Sequence, residues 1–389
     1  MNAANRGTTA TTEPVLILGG GLMGLAIAHQ LARRGEQVLV LSRRRSEAAG
    51  FVAAGMLAPH AEGLNGDLLA LGQAALDRIP GWVAQIEADS GLSCGLRPCG
   101  IVVPFTSAAE RDAYPTASCG EPLDRAGLER EVPGIGPSWQ AGLLFAQDGQ
   151  IDNRRRLMRA LERACVGLGV RFQEGTEVLS LEQDGGAVEG DEARGSAVAG
   201  ARASAGDGAL KAIRLRTAEG DEQRLPGPRQ ALSRVIFGPG TYLVPRQDGL
   251  LVVGATSEAE AGFSEGLTPT GQRQLQAGIA SLLPEASAWP PMERWWGFRP
   301  CTPDEGPLLG ESPIPGLWLA CGHHRNGVLL AGITAELLAG VVAPSADGVG
   351  LLSEQRDATT TEAARWLQAF RWNRFAGDSN GIDPANGAG

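Results

Sequence analysis

The chain reads as an α/β protein, α+β overall, in which a Rossmann-like dinucleotide-binding domain is joined to a second domain built on an antiparallel or mixed sheet. Three features predict this: a glycine-rich turn between an apolar strand and a helix, strand–helix alternation that resumes past Asp152, and a hairpin signal around Asp248-Gly249.

The first element is the short apolar strand Val15-Leu16-Ile17-Leu18, followed by Gly19-x-Gly21-x-x-Gly24 and a helix with Met23, Ile27, Gln30 and Leu31 at helical spacing that stops at Gly35. A second strand, Val38–Leu41, follows at once. Strand, tight turn, helix and parallel strand within about thirty residues make a βαβ unit with a right-handed crossover. The first glycine permits the turn, the second lets a pyrophosphate approach the backbone, and the third lets helix and strand pack closely. Free N–H groups at the helix start then face the phosphates. Such a unit places a carboxylate at the tip of its second strand to receive ribose hydroxyls. Here Ser42 stands at that tip, followed by Arg43, Arg44 and Arg45. On its residues alone this tip suits an NADP 2′-phosphate, a ribose or plain solvent, because arginine forks bind phosphate and a basic turn hydrates well.

Further along, Asp67–Ser90 has helical apolar spacing and Gly100–Phe105 reads as a strand. Asp152 is placed to cap a helix over Asn153–Val166, closed by Gly167 and Gly169, with strands at Val170–Phe172 and Glu177–Leu181. Residues 183–208 turn to Gly, Ala, Ser, Asp and Glu without an apolar period, the composition of a flexible insertion. Tyr242–Pro245 and Leu250–Ala255 flank the hairpin turn Gln247-Asp248-Gly249. A helix begins near Val328, and residues 376–389 read as a disordered tail.

With 389 residues the chain has room for roughly two to three domain-sized cores. A formal charge of -10 argues against a nucleic-acid surface, which needs clustered Lys and Arg. Six cysteines without a CxxC pair and four histidines without ligand spacing suggest no metal site. The first 13 residues lack an apolar h-region and read as a disordered lead-in rather than a secretory signal. Val328–Val342 is apolar but short for a bilayer and interrupted by Thr334 and Glu336, so a buried helix is expected. These features suit a cytoplasmic protein without a membrane partner; a homo-oligomer is compatible with them.

Ala53-Ala54-Gly55-Met56-Leu57-Ala58-Pro59 supplies a second stretch of small residues that lets backbone approach a flat ligand. At this block the sequence resembles the D-amino-acid oxidase superfamily, and within it the FAD-dependent glycine oxidases of thiamine biosynthesis. The resemblance continues, in the family's order, through Gly149-Gln150-Ile151-Asp152, Tyr242-Leu243-Val244-Pro245-Arg246, Val253-Gly254-Ala255-Thr256, the run Trp296–Asp304 and the run Gly322–Leu330. It implies that FAD is lined by Gly19, Gly21, Gly24, Ser42, Arg43, Ala53, Ala54, Gly55, Met56 and Val178, and by Gly322, Asn326, Gly327, Val328 and Leu329. It also implies that Arg299 holds a substrate carboxylate through paired charge-assisted bonds, Tyr242 assists, and Arg325 stands near the entrance. The implied reaction converts glycine and molecular oxygen to glyoxylate, ammonia and hydrogen peroxide, the flavin carrying the redox step. Sarcosine and short D-amino acids remain alternative substrates, since a methyl group changes binding by only about 1–3 kcal/mol.

The implied division is an FAD-binding domain of residues 14–66, 146–220 and 304–345 and a substrate domain of residues 67–145 and 231–303. Several positions depart from the family pattern. Gly50-Phe51 stand where a small hydroxyl residue is usual, Cys301 replaces a small neutral residue, and His324 replaces an aromatic one. Between Gly220 and Ser233 the apolar strand that normally completes the centre of the cofactor domain's sheet is absent. A degenerate, non-catalytic homologue is the alternative that this gap raises, because unpaired buried backbone is costly.

Overall fold

The computed structural model describes residues 13–179, 197–201, 218–226, 232–258, 264–344 and 353–375. The expected lead-in (but for Glu13), most of the 183–208 insertion, the end of the strand expected at Glu177–Leu181, and the 376–389 tail lie outside the described residues.

Strands β1 (Val15–Leu18) and β2 (Val38–Ser42) pair in parallel, Val15 opposite Val38, with helix α1 (Leu22–Arg33) crossing between them. Val15, Ile17, Val38 and Val40 are all buried, as strands covered on both faces must be. Six strands form this sheet. Beyond β2 lies β8 (Arg171–Glu174), parallel to it, and at the other side lie β15 (Leu308–Glu311) and β16 (Leu317–Cys321), antiparallel to each other. Between β1 and β16 sits β9 (Ala197–Ala201), antiparallel to both. The centre of the sheet, for which the sequence offers no strand after Gly220, is therefore filled by five residues from within the stretch expected to be a flexible insertion. Ala-Val-Ala-Gly-Ala carries no alternation to betray a strand; ladder partners on both sides give it one.

The second sheet holds eight strands in the order β14-β10-β13-β12-β11-β4-β6-β5. These are β4 (Ile101–Phe105), β5 (Glu121–Asp124), β6 (Ala141–Phe145), β10 (Ala218–Pro226), β11 (Val235–Gly238), β12 (Thr241–Pro245), β13 (Leu250–Gly254) and β14 (Glu293–Arg299). It is mixed, as expected: β4 and β11 run parallel, and β12 and β13 form the hairpin, Tyr242 opposite Gly254. Ala218–Gly220, grouped from sequence with the cofactor domain, belong to β10, which lies opposite β14 with Ala218 facing Arg299.

The two sheets meet at a small ladder, β3 (Met56–Leu57) against β7 (Gly149–Gln150). The buried Arg246 guanidinium holds this junction. It donates to Gln150 Oε1 at 2.8 Å, to the Ile151 carbonyl at 3.1 Å and to the Ala54 carbonyl, which ties the end of the β12–β13 hairpin strand to the Ala53–Met56 turn. The three oxygens that accept from its terminal nitrogens offset much of the cost of burying the cation.

The long helix α2 (Gly66–Ser90) packs with α1 and with α7 (Gly327–Val342) over the first sheet. The stretch His324–Val342 is the one helical segment among the described residues long and apolar enough to cross a membrane, and it is mostly buried inside the protein. The helix expected from Asn153 differs in its first turn. Residues Asn153–Leu157 form a wider π turn before α5 (Met158–Gly167). Asp152 makes no capping bond; its carboxylate pairs with Arg155 at 3.3 Å and Arg156 at 3.7 Å, while its carbonyl accepts from Leu157.

Candidate functional site

One cleft runs between the two sheets, and three backbone segments approach it. The first is the glycine turn. Gly19 has φ 108°, and a Cβ on Gly24 would stand on the Gly19 carbonyl, so both positions require glycine. Gly21, at the N-cap of α1, makes no side-chain cap and lines the cleft, leaving first-turn N–H groups for a ligand. The second is Ala53–Met56, where Gly55 has φ 83° and a Cβ would meet the Ile151 carbonyl. The third is the start of α7, where Gly327 and Val328 line the cleft and Asn326, the N-cap, makes no side-chain cap.

The opposite wall carries polar and charged side chains. Arg299 ends β14 and donates to Ser257 Oγ at 3.2 Å. Tyr242 lines the same cleft, and Gly254 across the hairpin leaves room for its ring, since a Cβ there would collide with it. Arg325 is exposed at the rim, carried by a 3-10 turn (His324–Asn326) in which His324 takes φ 46° and its N–H bonds the Pro300 carbonyl at 2.8 Å. Beside it His323 is buried, its ring 3.0 Å from the Thr334 hydroxyl.

Burial holds His323 neutral by lowering its pKa from 6.5 to about 3, and burial lowers His324 to about 4. The folded protein thus resists a proton that the unfolded chain accepts. The stability contributed by His323 is complete above pH 6.5 and is lost as the pH falls toward 3. Glu62 has the opposite sign: burial raises it from 4.5 to about 7, so its contribution is complete below pH 4.5 and lost as the pH rises through 7. Thermal melting of His323→Asn against wild type between pH 7.5 and about 4 is expected to show a shallower acid loss in the variant. Parallel curves would refute the burial argument.

The cleft gathers Gly21, Ala53, Ala54, Gly55, Met56, Gly327 and Val328 with Tyr242, Arg299 and Arg325. Other residues named from sequence lie around rather than on it. Gly19 and Gly24 shape the turn. Gly322 has φ 71° with Thr302 packed close; Asn326 and Leu329 are buried in support of α7. Ser42 is buried and its carbonyl accepts from Thr176 at 3.0 Å; Val178 packs near Leu18 and Leu317, in a segment without strand pairing. Arg43 points to solvent, 3.0 Å from Glu47 and 3.2 Å from Glu177. Arg45 instead lies against the glycine turn over the Phe172 ring, paired with Glu162 at 2.9 Å and with Glu174. Arg44 pairs with Glu47 as well, so each arginine of the run meets a carboxylate, Arg43 and Arg44 in solvent-exposed pairs. Glu62 and His323 also line the cleft. Glu62 carries no motif of its own, since a lone acid in a loop gives no periodic or spacing signal, and His323 lies within the run Gly322–Leu330, where the glycines and Asn326 carry the signal.

Two glycine cradles and an uncapped helix start on one cleft suit a long, flat, anionic ligand; the residues fit a flavin dinucleotide. They define the class: a dinucleotide-binding protein whose cleft carries a basic wall. The chain belongs to the FAD dependent oxidoreductase family, whose sequence model matches residues 14–341. It is 40% identical over 372 residues to the bifunctional protein ThiO/ThiG of Synechocystis sp., covering 90% of this chain and 55% of that protein. It is 29% identical over 345 residues to a glycine oxidase of Pseudomonas aeruginosa, covering 84% and 94%. The chain thus spans about half the length of the bifunctional relatives. In fold it is similar to the crystal structure of glycine oxidase from Geobacillus kaustophilus, with a TM-score of 0.73 at 24% identity over 87% of this chain and 97% of that one.

Proposed function

We propose that this chain oxidises glycine in an FAD-dependent reaction with molecular oxygen, yielding an imine that water converts to glyoxylate and ammonia, with hydrogen peroxide as the other product. The observation that carries the reading is the position of Arg299 and Tyr242 on the same cleft as the two glycine cradles and the start of α7. The relatives' names, glycine oxidase and ThiO/ThiG, support it and support a role supplying thiamine biosynthesis, and a cytoplasmic location goes with that reading.

Bound FAD supplies the two-electron acceptor, and oxygen restores it. The protein's own work is positional. Arg299 receives the carboxylate through parallel N–H donors, Tyr242 adds a hydroxyl contact, and the uncapped N–H groups of α7 would help to hold bound FAD and favour negative charge on it. His323 stays neutral beside them, so it adds no competing positive charge. Holding a molecule as small as glycine in one orientation supplies much of the rate.

The purified protein is expected to be yellow and to lose its visible absorbance when glycine is added without oxygen. A colourless protein would support the non-catalytic alternative. Bleaching by sarcosine or D-alanine but not glycine would move the substrate within the class.

A further inference from the structure

The cleft has a second charged pole. Among the described residues that line it, Glu62 is the one acidic side chain, set in a wall that also carries Arg299 and Arg325. Its carboxylate has no hydrogen-bond or ion-pair partner among the described residues. Its backbone, by contrast, is clamped. The fully buried Asp148 accepts from the His60 ring at 2.7 Å and from the Ala61 N–H at 2.8 Å. Tyr114 donates to the Ala61 carbonyl and Thr116 to the His60 carbonyl, each at 2.6 Å, and Gln73 lies 3.1 Å from the other His60 nitrogen. The Glu62 N–H bonds the Ala58 carbonyl at 2.9 Å. Burying an Asp–His pair is costly, and here it fixes the peptide on the N-terminal side of an unpaired glutamate that lines a ligand cleft.

We propose that Glu62 receives the amino group of the substrate while Arg299 holds its carboxylate, so that the two together select a small zwitterion and disfavour anions that lack an amine. The proposal rests on the glycine-oxidising reading above and adds the group that recognises the nitrogen. An ionised carboxylate in a partly desolvated cleft attracts an ammonium more strongly than in water, and it repels a second carboxylate. The groups acting on Glu62 are Arg299 from β14, Arg325 from the turn before α7, Asp148 from the loop before β7, and Glu305 from the loop after β14. Tyr114, from the loop before β5, feels Glu62 in turn. Burial outweighs the two arginines and raises Glu62 to about 7, so it gains its charge across the neutral range.

The test uses the flavin-loaded wild type, Glu62→Gln and Glu62→Asp, with glycine turnover and with acetate, which has the carboxylate and no amine, titrated by its effect on the flavin spectrum. Glu62→Gln is expected to raise KM for glycine tenfold or more while binding acetate as well as or better than wild type. The wild-type rise of kcat/KM through a pKa near 7 should vanish in Glu62→Gln and return, shifted, in Glu62→Asp. An unchanged glycine KM, or glycine and acetate weakened in parallel, overturns the assignment, the second because it marks a general distortion of the cleft. If glycine, sarcosine and D-alanine all fail to bleach wild type, the reading of function itself falls and the assignment with it. Bleaching of wild type with no difference in Glu62→Gln sinks the assignment alone.

Discussion

Replacing Arg299 with alanine is expected to raise the apparent Kd for glycine by roughly 100-fold or more while the purified protein keeps its flavin. The guanidinium sits at the end of β14, held by Ser257, on a different element of the cleft lining from the glycine turn that opens α1. Truncation removes a bidentate, charge-assisted contact and leaves the substrate carboxylate desolvated without a counter-charge. Glycine offers no side chain with which to compensate. Arg299→Lys should recover part of the loss, because a point charge attracts the carboxylate but cannot match its two oxygens with a planar fork. Anaerobic glycine titration followed by the bleaching of the flavin measures both variants. An unchanged midpoint in the alanine variant would remove Arg299 from the site, and loss of flavin would show that its role is structural.

Gly24→Val and Gly55→Ala are expected to be purified without flavin, or not to fold at all. At Gly24 any Cβ would stand on the Gly19 carbonyl, so α1 would have to move off β1 and the turn that faces the dinucleotide would open. At Gly55 the new methyl group meets the Ile151 carbonyl in a backbone conformation, φ 83°, that alanine enters only at a cost. The control is Gly81→Ala on the exposed side of α2, where no atom lies within 4 Å of the added Cβ. There the substitution should stabilise the helix by up to about 1 kcal/mol. Flavin absorbance per protein and the melting temperature separate the three. Stoichiometric flavin in either cleft variant would show that the turn tolerates a side chain.

What was legible in the sequence was local. The strand Val15–Leu18, the turn Gly19–Gly24, α1 and β2 follow one another within a single βαβ unit, so apolar periodicity and glycine spacing suffice to specify it. The hairpin at Asp248-Gly249 and the helix near Val328 were legible too, the first from a glycine that supplies the turn's positive φ and the second from its apolar run.

What the sequence left open depends on partners far along the chain. The central strand β9 has no alternation of its own and exists through its ladder to β1 and β16. Arg43 and Arg45 are equivalent letters in a basic run, yet the acids that neutralise Arg45, Glu162 and Glu174, come from another part of the chain and hold it against the glycine turn. Asp152 matches a helix cap by type and meets arginines instead. Glu62 is a single acid after a small-residue loop, and only the packing of Asp148, Tyr114 and Thr116 around its neighbours aims it at the cleft. The sequence by itself determined that this chain carries a dinucleotide-binding turn and where that first cradle lies, because the cradle is built from contiguous backbone. The tertiary structure decided which charged side chains face the cleft, because charge in a cleft is set by which distant elements bring their partners to it.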